Sequence, residues 1–170
     1  MIRLIPFTKE HFKFLKNWAQ NEDELFQFAG NTFTFPVTEE QVEKHLEDNN
    51  RKVFLVEEAQ NNVAIGMGEI LKVDVETRRL CRIIVGNKNY RGKGIGQKII
   101  NALLEKSFSE KAVNLVELNV FDFNTAAIKC YSNCGFTTTP NNIRVIEVNS
   151  KKWNLLNMTI SRNKFEAFKN

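Results

Sequence analysis

Residues 83–97 have the sequence Ile-Ile-Val-Gly-Asn-Lys-Asn-Tyr-Arg-Gly-Lys-Gly-Ile-Gly-Gln. The apolar start of this stretch predicts a strand, and the residues that follow it predict an amphipathic helix. Between the two, three glycines at alternate positions leave the main chain bare, so that a ligand can approach it closely. The N–H groups and partial positive charge of a helix N-terminus bind phosphate, and Arg91 and Lys93 add cationic donors. We therefore predict a turn that binds a diphosphate.

Two other nucleotide-binding motifs fit this turn less well. A Walker loop needs Gly, four residues and then Gly-Lys-Ser/Thr, and the chain contains no such string. A dinucleotide fingerprint needs G-x-G-x-x-G directly after a strand, but Gln97 stands where its third glycine belongs. Glu117 falls roughly where that fold has its ribose-binding acid, so the dinucleotide interpretation is supported by this residue but not by the glycine pattern. A glycine-rich loop that caps a helix without a ligand is the remaining alternative.

A second pattern lies downstream, at residues 124–136. Asn124 is a good helix N-cap, and Gly135 is a good residue to end the helix. Tyr131 follows Asn124 by seven residues, about two helical turns, so both side chains point to one side. The residues themselves therefore predict a short helix that presents Asn124 and Tyr131 together.

The two patterns together resemble the GNAT superfamily of N-acetyltransferases. Arg91, Gly94 and Gly96 fit its acyl-CoA pyrophosphate motif, Arg/Gln-x-x-Gly-x-Gly/Ala. The family sequence Asn-x-x-Ala-x-x-x-Tyr-x-x-x-Gly-Phe is matched by Asn124, Ala127, Tyr131, Gly135 and Phe136. The resemblance covers about residues 53–137 well and the rest in outline.

The resemblance implies an α/β fold, the GNAT acyl-CoA N-acyltransferase fold, as a single domain over residues 1–170. Its central, mostly antiparallel twisted sheet would have about seven strands and be flanked by about four helices. Sequence patterns place strands near residues 2–6, 53–57, 64–75, 80–85, 113–120, 144–148 and 153–161. They place helices at 9–21, from 38 to about 49, after the glycine turn and after Asn124, with an aromatic-rich connection at 26–35.

The chemistry implied by the resemblance is transfer of an acetyl group from acetyl-CoA to a primary amine. Pantetheine would lie along the strand before the turn, and an amide near Val85 would stabilise the negative charge on the thioester oxygen. Tyr131 would act as the acid that protonates the departing thiolate, or would only pack against pantetheine. The residues expected to bind the co-substrate are Ile83, Ile84, Val85, Arg91, Gly92, Lys93, Gly94, Ile95, Gly96, Gln97 and Asn124.

The general base is not fixed by either pattern. Some relatives that modify protein N-termini have a glutamate five residues before the Asn that matches Asn124, and here Asn119 stands there. Glu117, two residues earlier on the same strand face, and Glu69, on the preceding long strand, are candidates. Each is also explained as a solvated strand carboxylate, and a water relay is equally open.

The acceptor is expected to bind over the N-terminal helices, as a small-molecule amine or a protein N-terminus. Ile2-Arg3-Leu4 and the early Trp18 look loosely like the subgroup that acetylates protein N-termini, including ribosomal proteins, and polyamine and aminoglycoside enzymes share this likeness. Aromatic residues are dense in this region and form either core packing or an acceptor wall. They are Trp18, Phe26, Phe28, Phe33 and Phe35. Three acids at 22–24 either attract a cationic amine or are simply solvated.

Composition excludes several classes of protein. At 170 residues and 42% apolar content the chain suits one domain, and no apolar run is long enough to span a membrane. Three cysteines and two histidines favour a reducing, cytoplasmic location without disulfides or metal. A net charge of +4 without a dense basic run gives no reason to expect nucleic acid.

Two further questions stay open at this level. An acyl-CoA-binding sensor without turnover is the alternative to an enzyme. Tyr131 favours the enzyme, while Asn119 in place of glutamate keeps the sensor open. An edge strand near the C-terminus is available for pairing in a homodimer.

Overall fold

A seven-stranded mixed sheet lies at the centre of the protein, whose computed structural model describes residues 1–148 and 151–169. Its strands are β1 Ile2–Pro6, β2 Arg51–Glu58, β3 Val63–Lys72, β4 Thr77–Val85, β5 Leu115–Phe121, β6 Thr137–Val148 and β7 Lys151–Ser161. They lie in the order β1-β2-β3-β4-β5-β7-β6, and every neighbouring pair except β4–β5 is antiparallel. The predicted mostly antiparallel sheet of about seven strands is confirmed.

Six α-helices accompany the sheet in the described part of the chain. They are α1 Phe12–Trp18, α2 Glu22–Ala29, α3 Glu39–Leu46, α4 Ile95–Phe108, α5 Thr125–Asn133 and α6 Arg162–Lys169. The sequence patterns predict about four helices, and the two that they miss are α2 and α6.

The helix α2 begins directly after the helix predicted at 9–21 and overlaps the aromatic connection predicted at 26–35. The first helix instead ends at Trp18, because the next residue has an extended backbone. Asn21 then starts a new helix, since its side-chain oxygen accepts a 2.8 Å hydrogen bond from the Glu24 N–H. Closely spaced aromatic residues hide the helical period here, and the prediction of a connection was wrong.

The helix α6 is held by partners that are distant in sequence. The Arg162 guanidinium donates hydrogen bonds to the carbonyls of Phe108, Glu110 and Val113. Phe165 stacks on Phe108 with ring centroids 5.0 Å apart. Such contacts leave no local signal, which explains why sequence patterns do not predict this helix.

Apolar cores lie on both faces of the sheet. Along β2, Phe54 and Val56 belong to the core beneath α4, whereas Leu55 belongs to the core beneath the N-terminal helices. Each fully buried leucine contributes about 1.5–3 kcal/mol to stability. The helix α4 contributes four side chains that are at most 1% exposed, namely Ile99, Ile100, Leu103 and Leu104.

The β4–β5 pair opens into a cleft partway along its length. Residues 77–80 pair with residues 115–118, and past these positions the two strands continue without pairing to each other. In the pairing of β4 with β3, Arg82 and Ile83 together oppose Gly68, so β4 carries one extra residue. Arg82 takes a left-handed backbone with φ of 44°, which is strained for a non-glycine residue. A bulge of this kind bends its strand and separates β4 from β5.

Candidate active site

The opening between β4 and β5 is the base of a cavity of about 740 Å³. Residues 79–85 of β4 and 118–121 of β5 line this cavity. Residues of α5 and of the α1–α2 region also contribute to its lining. The edge of β4 that faces this cavity lacks a strand partner from residue 81 onward. A free strand edge offers main-chain donors and acceptors to an extended ligand.

The predicted diphosphate turn lies at one end of the cavity and leads into α4. Gly92 and Gly94 both have φ of 72°, which glycine adopts without strain. Gly94 is the N-cap of α4 and supplies no side-chain cap to this 14-residue helix. Nothing lies within 4 Å of where a β-carbon on Gly92 or Gly94 would stand. The turn therefore has the open space, the free helix N-terminus and the cationic side chain of Lys93 that a diphosphate requires.

Arg91 ties this turn to the strand before it. Its Nε donates a 2.8 Å hydrogen bond to the Val85 carbonyl, and its side chain lines the cavity. Ile95 packs against the core beneath α4. On the other edge of β4, Ile84 and Val85 pair with Met67 and Gly66 of β3. Ile83, Ile84, Val85 and Arg91 all line the cavity, whereas residues 92–97 follow Arg91 in the chain and are not among the described residues that line it.

We expect Gly94→Val to weaken acetyl-CoA binding by at least about tenfold, because the new side chain enters the space in front of the helix N-terminus. Urea denaturation of Gly94→Val measures the cost of backbone strain separately, since Gly94 has a positive φ of 72° that a valine disfavours. Calorimetry on the folded variant measures the effect on binding. Unchanged affinity in folded Gly94→Val would contradict the diphosphate assignment.

The helix α5 presents Asn124 and Tyr131 to the same cavity. The Asn124 side-chain oxygen caps the helix by accepting a 3.2 Å hydrogen bond from the Ala127 N–H, which leaves its amide group for a ligand. The Tyr131 ring packs edge-on against Phe136, and no hydrogen bond within residues 1–148 and 151–169 engages its hydroxyl. Burial, followed by the neighbouring thiols, raises the pKa of Tyr131 above its ordinary value. The hydroxyl is therefore protonated at neutral pH.

Glu69 is not brought to the cavity. Its carboxylate is fully buried and accepts a hydrogen bond from Arg82, and the His45 Nε2 lies 2.9 Å away. Burial opposes ionisation, but these hydrogen bonds outweigh it and hold the pKa of Glu69 below its usual range. A carboxylate enclosed by cations has neither the position nor the basicity of a general base, so the structure argues against this prediction.

Glu117 is also engaged elsewhere. Its carboxylate accepts a 2.6 Å hydrogen bond from the Arg79 Nε, and it is not among the described residues that line the cavity. The Asn157 amide reaches both Glu117 and Asn119, at 3.4 and 3.2 Å, as expected for two residues on one strand face. Asn119 does line the cavity. The ion pair with Arg79 argues against Glu117 as the base.

Two residues of the site are not singled out from the sequence. Glu24 is considered only as one of the three acids at 22–24, and Arg82 is not considered. Glu24, in the first turn of α2, has the one carboxylate among the described cavity-lining residues. The Arg82 side chain is 8% exposed, bonds Glu69 and donates a 2.8 Å hydrogen bond to the Thr32 hydroxyl. The run of acids at 22–24 is the available signal for Glu24, whereas the bulge that places Arg82 has no sequence signal.

The aromatic residues of the N-terminal region divide between the two roles considered for them. Trp18, Phe26 and Phe28 line the cavity. Trp18 packs so closely over Gly86 that a β-carbon there would lie 2.0 Å from the indole. Phe33 is buried with its ring edge-on to His45, and Phe35 is 45% exposed. Three of the five aromatic residues therefore line the cavity, and Phe33 and Phe35 are not among the described residues that do.

The cysteines and possible metal ligands of the described residues do not form a metal site. Cys130 and Cys134 pack in the core beneath α4, and all three cysteines are free. Within the described ranges, no three His, Cys, Asp or Glu side chains come together as a metal site. None of the helices in the same ranges has the length and apolar character to cross a membrane.

The parted β4 and β5 strands, the diphosphate turn and the Asn124–Tyr131 helix define the class of acyl-CoA-dependent N-acyltransferases. The model of the acetyltransferase (GNAT) family matches residues 15–136. The chain therefore belongs to the GNAT family. It is an acetyltransferase that uses acetyl-CoA and acts on an amine.

Two curated relatives are similar to the chain. Spermidine N(1)-acetyltransferase of Vibrio cholerae is 27% identical over 165 residues, covering 96% of this chain and 95% of the relative. Aminoglycoside N(6')-acetyltransferase type 1 of Klebsiella pneumoniae is 30% identical over 102 residues, covering 55% of this chain and 50% of the relative. Both names are those of enzymes, which favours the enzyme over the sensor without turnover.

A solved structure has the same fold. It is a Vibrio cholerae spermidine N-acetyltransferase in complex with CoA and spermine, with a TM-score of 0.80 and 23% identity over 97% of this chain and 98% of that one. None of these three relatives is named for a protein N-terminus. The loose likeness to the ribosomal-protein subgroup therefore stays a prediction, whereas two of the three relatives are named as spermidine N-acetyltransferases.

Proposed function

We propose that this acetyltransferase modifies a primary amine of a small polycationic acceptor, of the polyamine or amino-sugar kind. The observation that carries the proposal is the polarity of the cavity. Arg91 lines the cavity beside the diphosphate turn, which also contains Lys93, and Glu24 lines it from the first turn of α2. Arg79 and Arg82, which also line the cavity, are paired with buried or half-buried carboxylates. The turn thus suits an anion, and the Glu24 carboxylate suits a cation.

The relatives give the proposal a second, independent support. Their names specify spermidine and aminoglycosides, which are both small molecules with several amines. Trp18, Phe26 and Phe28 add aromatic faces near Glu24, and such faces attract ammonium groups at close range.

The chain contributes position, charge stabilisation and one proton to the transfer. Acetyl-CoA supplies an acetyl group activated as a thioester. The free edge of β4 and the diphosphate turn hold it, and a β4 amide near Val85 stabilises negative charge on the thioester oxygen. The acceptor nitrogen forms a bond to the carbonyl carbon while the C–S bond breaks. Tyr131 donates its hydroxyl proton to the sulfur, the acceptor nitrogen loses its proton to water, and water returns a proton to the Tyr131 oxygen.

Water is the proposed proton acceptor, since Glu69 and Glu117 are both held in ion pairs. The raised pKa of Tyr131 keeps it protonated, and the lowered pKa of Glu69 keeps it ionised, between pH 5 and 8. Neither group then changes charge in that interval, so kcat/KM should rise about tenfold per pH unit with the neutral fraction of an amine of pKa about 10. A pH–rate profile checks this. A break in the profile that disappears in Glu117→Gln would instead identify a carboxylate base.

The acceptor class is tested with purified protein, acetyl-CoA and three acceptors at equal concentration. Spermidine, an aminoglycoside and a short peptide with a free N-terminus represent the alternatives, and released CoA thiol reports turnover. We expect a kcat/KM for spermidine or the aminoglycoside at least about tenfold above that for the peptide. Preference for the peptide would contradict the proposal.

Two further features complete the proposal. The free thiols are compatible with a cytoplasmic enzyme. The edge strand β6 exposes Ile143 and Val145, and pairing of two such edges would produce a homodimer. Light scattering of the purified chain measures its mass directly, and a monomeric mass would remove the homodimer from the proposal.

A further inference from the structure

A second cavity lies beside the catalytic cavity. It is a shallow depression, open to solvent, and is lined by Asp23, Gln27, Phe123, Lys152 and Trp153. Gln27 lines both cavities, which places them next to each other. We call this second space the outer cavity. Neither the motifs nor the transfer chemistry gives it a role.

Four aromatic rings separate the two cavities, and we call them the aromatic wall. Phe26 and Phe121 line the catalytic cavity, and Phe123 and Trp153 line the outer cavity. Phe121 stacks on Phe123 with ring centroids 5.5 Å apart. Trp153 stands nearly perpendicular to all three phenylalanine rings, with centroid distances of 5.0 Å. The wall therefore presents aromatic surface to both cavities.

Consecutive residues of α2 place one carboxylate in each cavity. Glu24 lines the catalytic cavity, and Asp23 lines the outer cavity. Lys152 is the one cationic residue among the described residues of the outer cavity, and its cross-strand partner on β6 is Glu147. An aromatic surface beside the exposed Asp23 carboxylate favours an ammonium group, and Lys152 opposes it.

We propose that the outer cavity binds a second ammonium group of the same acceptor whose reacting amine lies in the catalytic cavity. This inference rests on the proposed function, because it requires an acceptor with at least two amines. The aromatic wall would then support the chain between the two amines, with Glu24 and Asp23 as the charged contacts on its two sides.

The wall also sets a minimum length for such an acceptor. The stacked rings of Phe121 and Phe123 have centroids 5.5 Å apart, and an ammonium group lies over the face of a ring within about 6 Å of its centroid, so two ammonium groups on the outer faces of this pair stand roughly 10 Å or more apart. An extended spermine reaches that far, whereas 1,4-diaminobutane does not. The outer cavity should therefore increase affinity for spermine and have no effect on the short diamine.

The test compares KM for spermine and for 1,4-diaminobutane in four full-length proteins. Asp23→Asn should raise KM for spermine at least about threefold, and Lys152→Met should lower it about twofold, with kcat unchanged. Glu22→Gln is the matched control, since it removes a charge from the same helical turn and Glu22 is not among the described residues lining either cavity. KM for 1,4-diaminobutane should be the same in all four proteins.

The Glu22→Gln control and the short diamine separate this inference from general attraction of cations, which would affect both acidic variants and both amines alike. Equal effects of Asp23→Asn and Glu22→Gln, or equal effects on both amines, would overturn the inference while leaving the proposed function intact. Absence of acetyl transfer to any polyamine would overturn the proposed function and this inference with it.

Discussion

Replacing Tyr131 with phenylalanine should lower kcat by at least about tenfold while leaving the affinity for acetyl-CoA within about twofold. Phenylalanine keeps the ring and its edge-on contact with Phe136, and only the hydroxyl is lost. General acids contribute about a hundredfold or more to catalysis, and a tenfold loss already corresponds to about 1.4 kcal/mol. Stopped-flow or steady-state assays of thiol release measure kcat, and calorimetry measures affinity.

The chain has a matched control in its other tyrosine. The Tyr90 hydroxyl donates a 2.8 Å hydrogen bond to Glu58 and is not among the described residues of the catalytic cavity. Tyr90→Phe should therefore keep kcat within about twofold. Equal kcat for Tyr131→Phe and the unmodified enzyme would reduce Tyr131 to a packing residue and leave the thiolate to be protonated by water.

Glu69→Gln should lower the free energy of unfolding by about 3–5 kcal/mol, because removing one partner of a buried ion pair leaves the other charge uncompensated. The Glu69 carboxylate faces Arg82 and His45, and Arg51 lies 3.5 Å from its second oxygen. One nitrogen of Arg82 is already buried without a hydrogen-bond partner. Urea denaturation at pH 7 gives the loss of stability.

The pH dependence of this loss follows from the lowered pKa of Glu69. A carboxyl whose pKa is lower in the folded state stabilises the protein above its unfolded pKa of about 4.3, and that contribution disappears as pH falls through the folded value. The difference between the two proteins should therefore shrink in acid. Glu43→Gln, at an exposed pair with Lys9, should change stability by no more than about 1 kcal/mol. Equal losses in the two variants would contradict the role of the buried network.

Local signals account for the parts of the site that the sequence predicts correctly. The glycine turn and the cap at Asn124 depend on residues within a few positions of each other, and the structure has Gly94 and Asn124 as the N-caps of α4 and α5. The buried face of α4 follows in the same way from helical spacing. The conformation of these elements is determined by residues close in sequence, so it can be predicted from the sequence.

The ion-pair partners of the two candidate bases, Glu117 and Glu69, could not be predicted from the sequence. Alternation along a strand predicts correctly that Glu117 and Asn119 share a face, but it cannot supply the partner that Glu117 finds in Arg79 on β4. In the sequence, Glu69 is likewise indistinguishable from a solvated strand carboxylate. In the fold, His45 of α3 and Arg82 of the β4 bulge both contact it. These partners are assembled by tertiary packing, and no local pattern encodes them.

The measurement that bears most directly on the polarity of the catalytic cavity is the ratio of kcat/KM for 1,8-diaminooctane to that for octylamine. The two acceptors have the same reactive amine and the same chain length, and they differ only in the second charge. We expect a ratio of at least about ten at low ionic strength, decreasing as salt screens the carboxylates. A ratio near one, or preference for octylamine, would contradict the proposal that this enzyme selects polycationic amines.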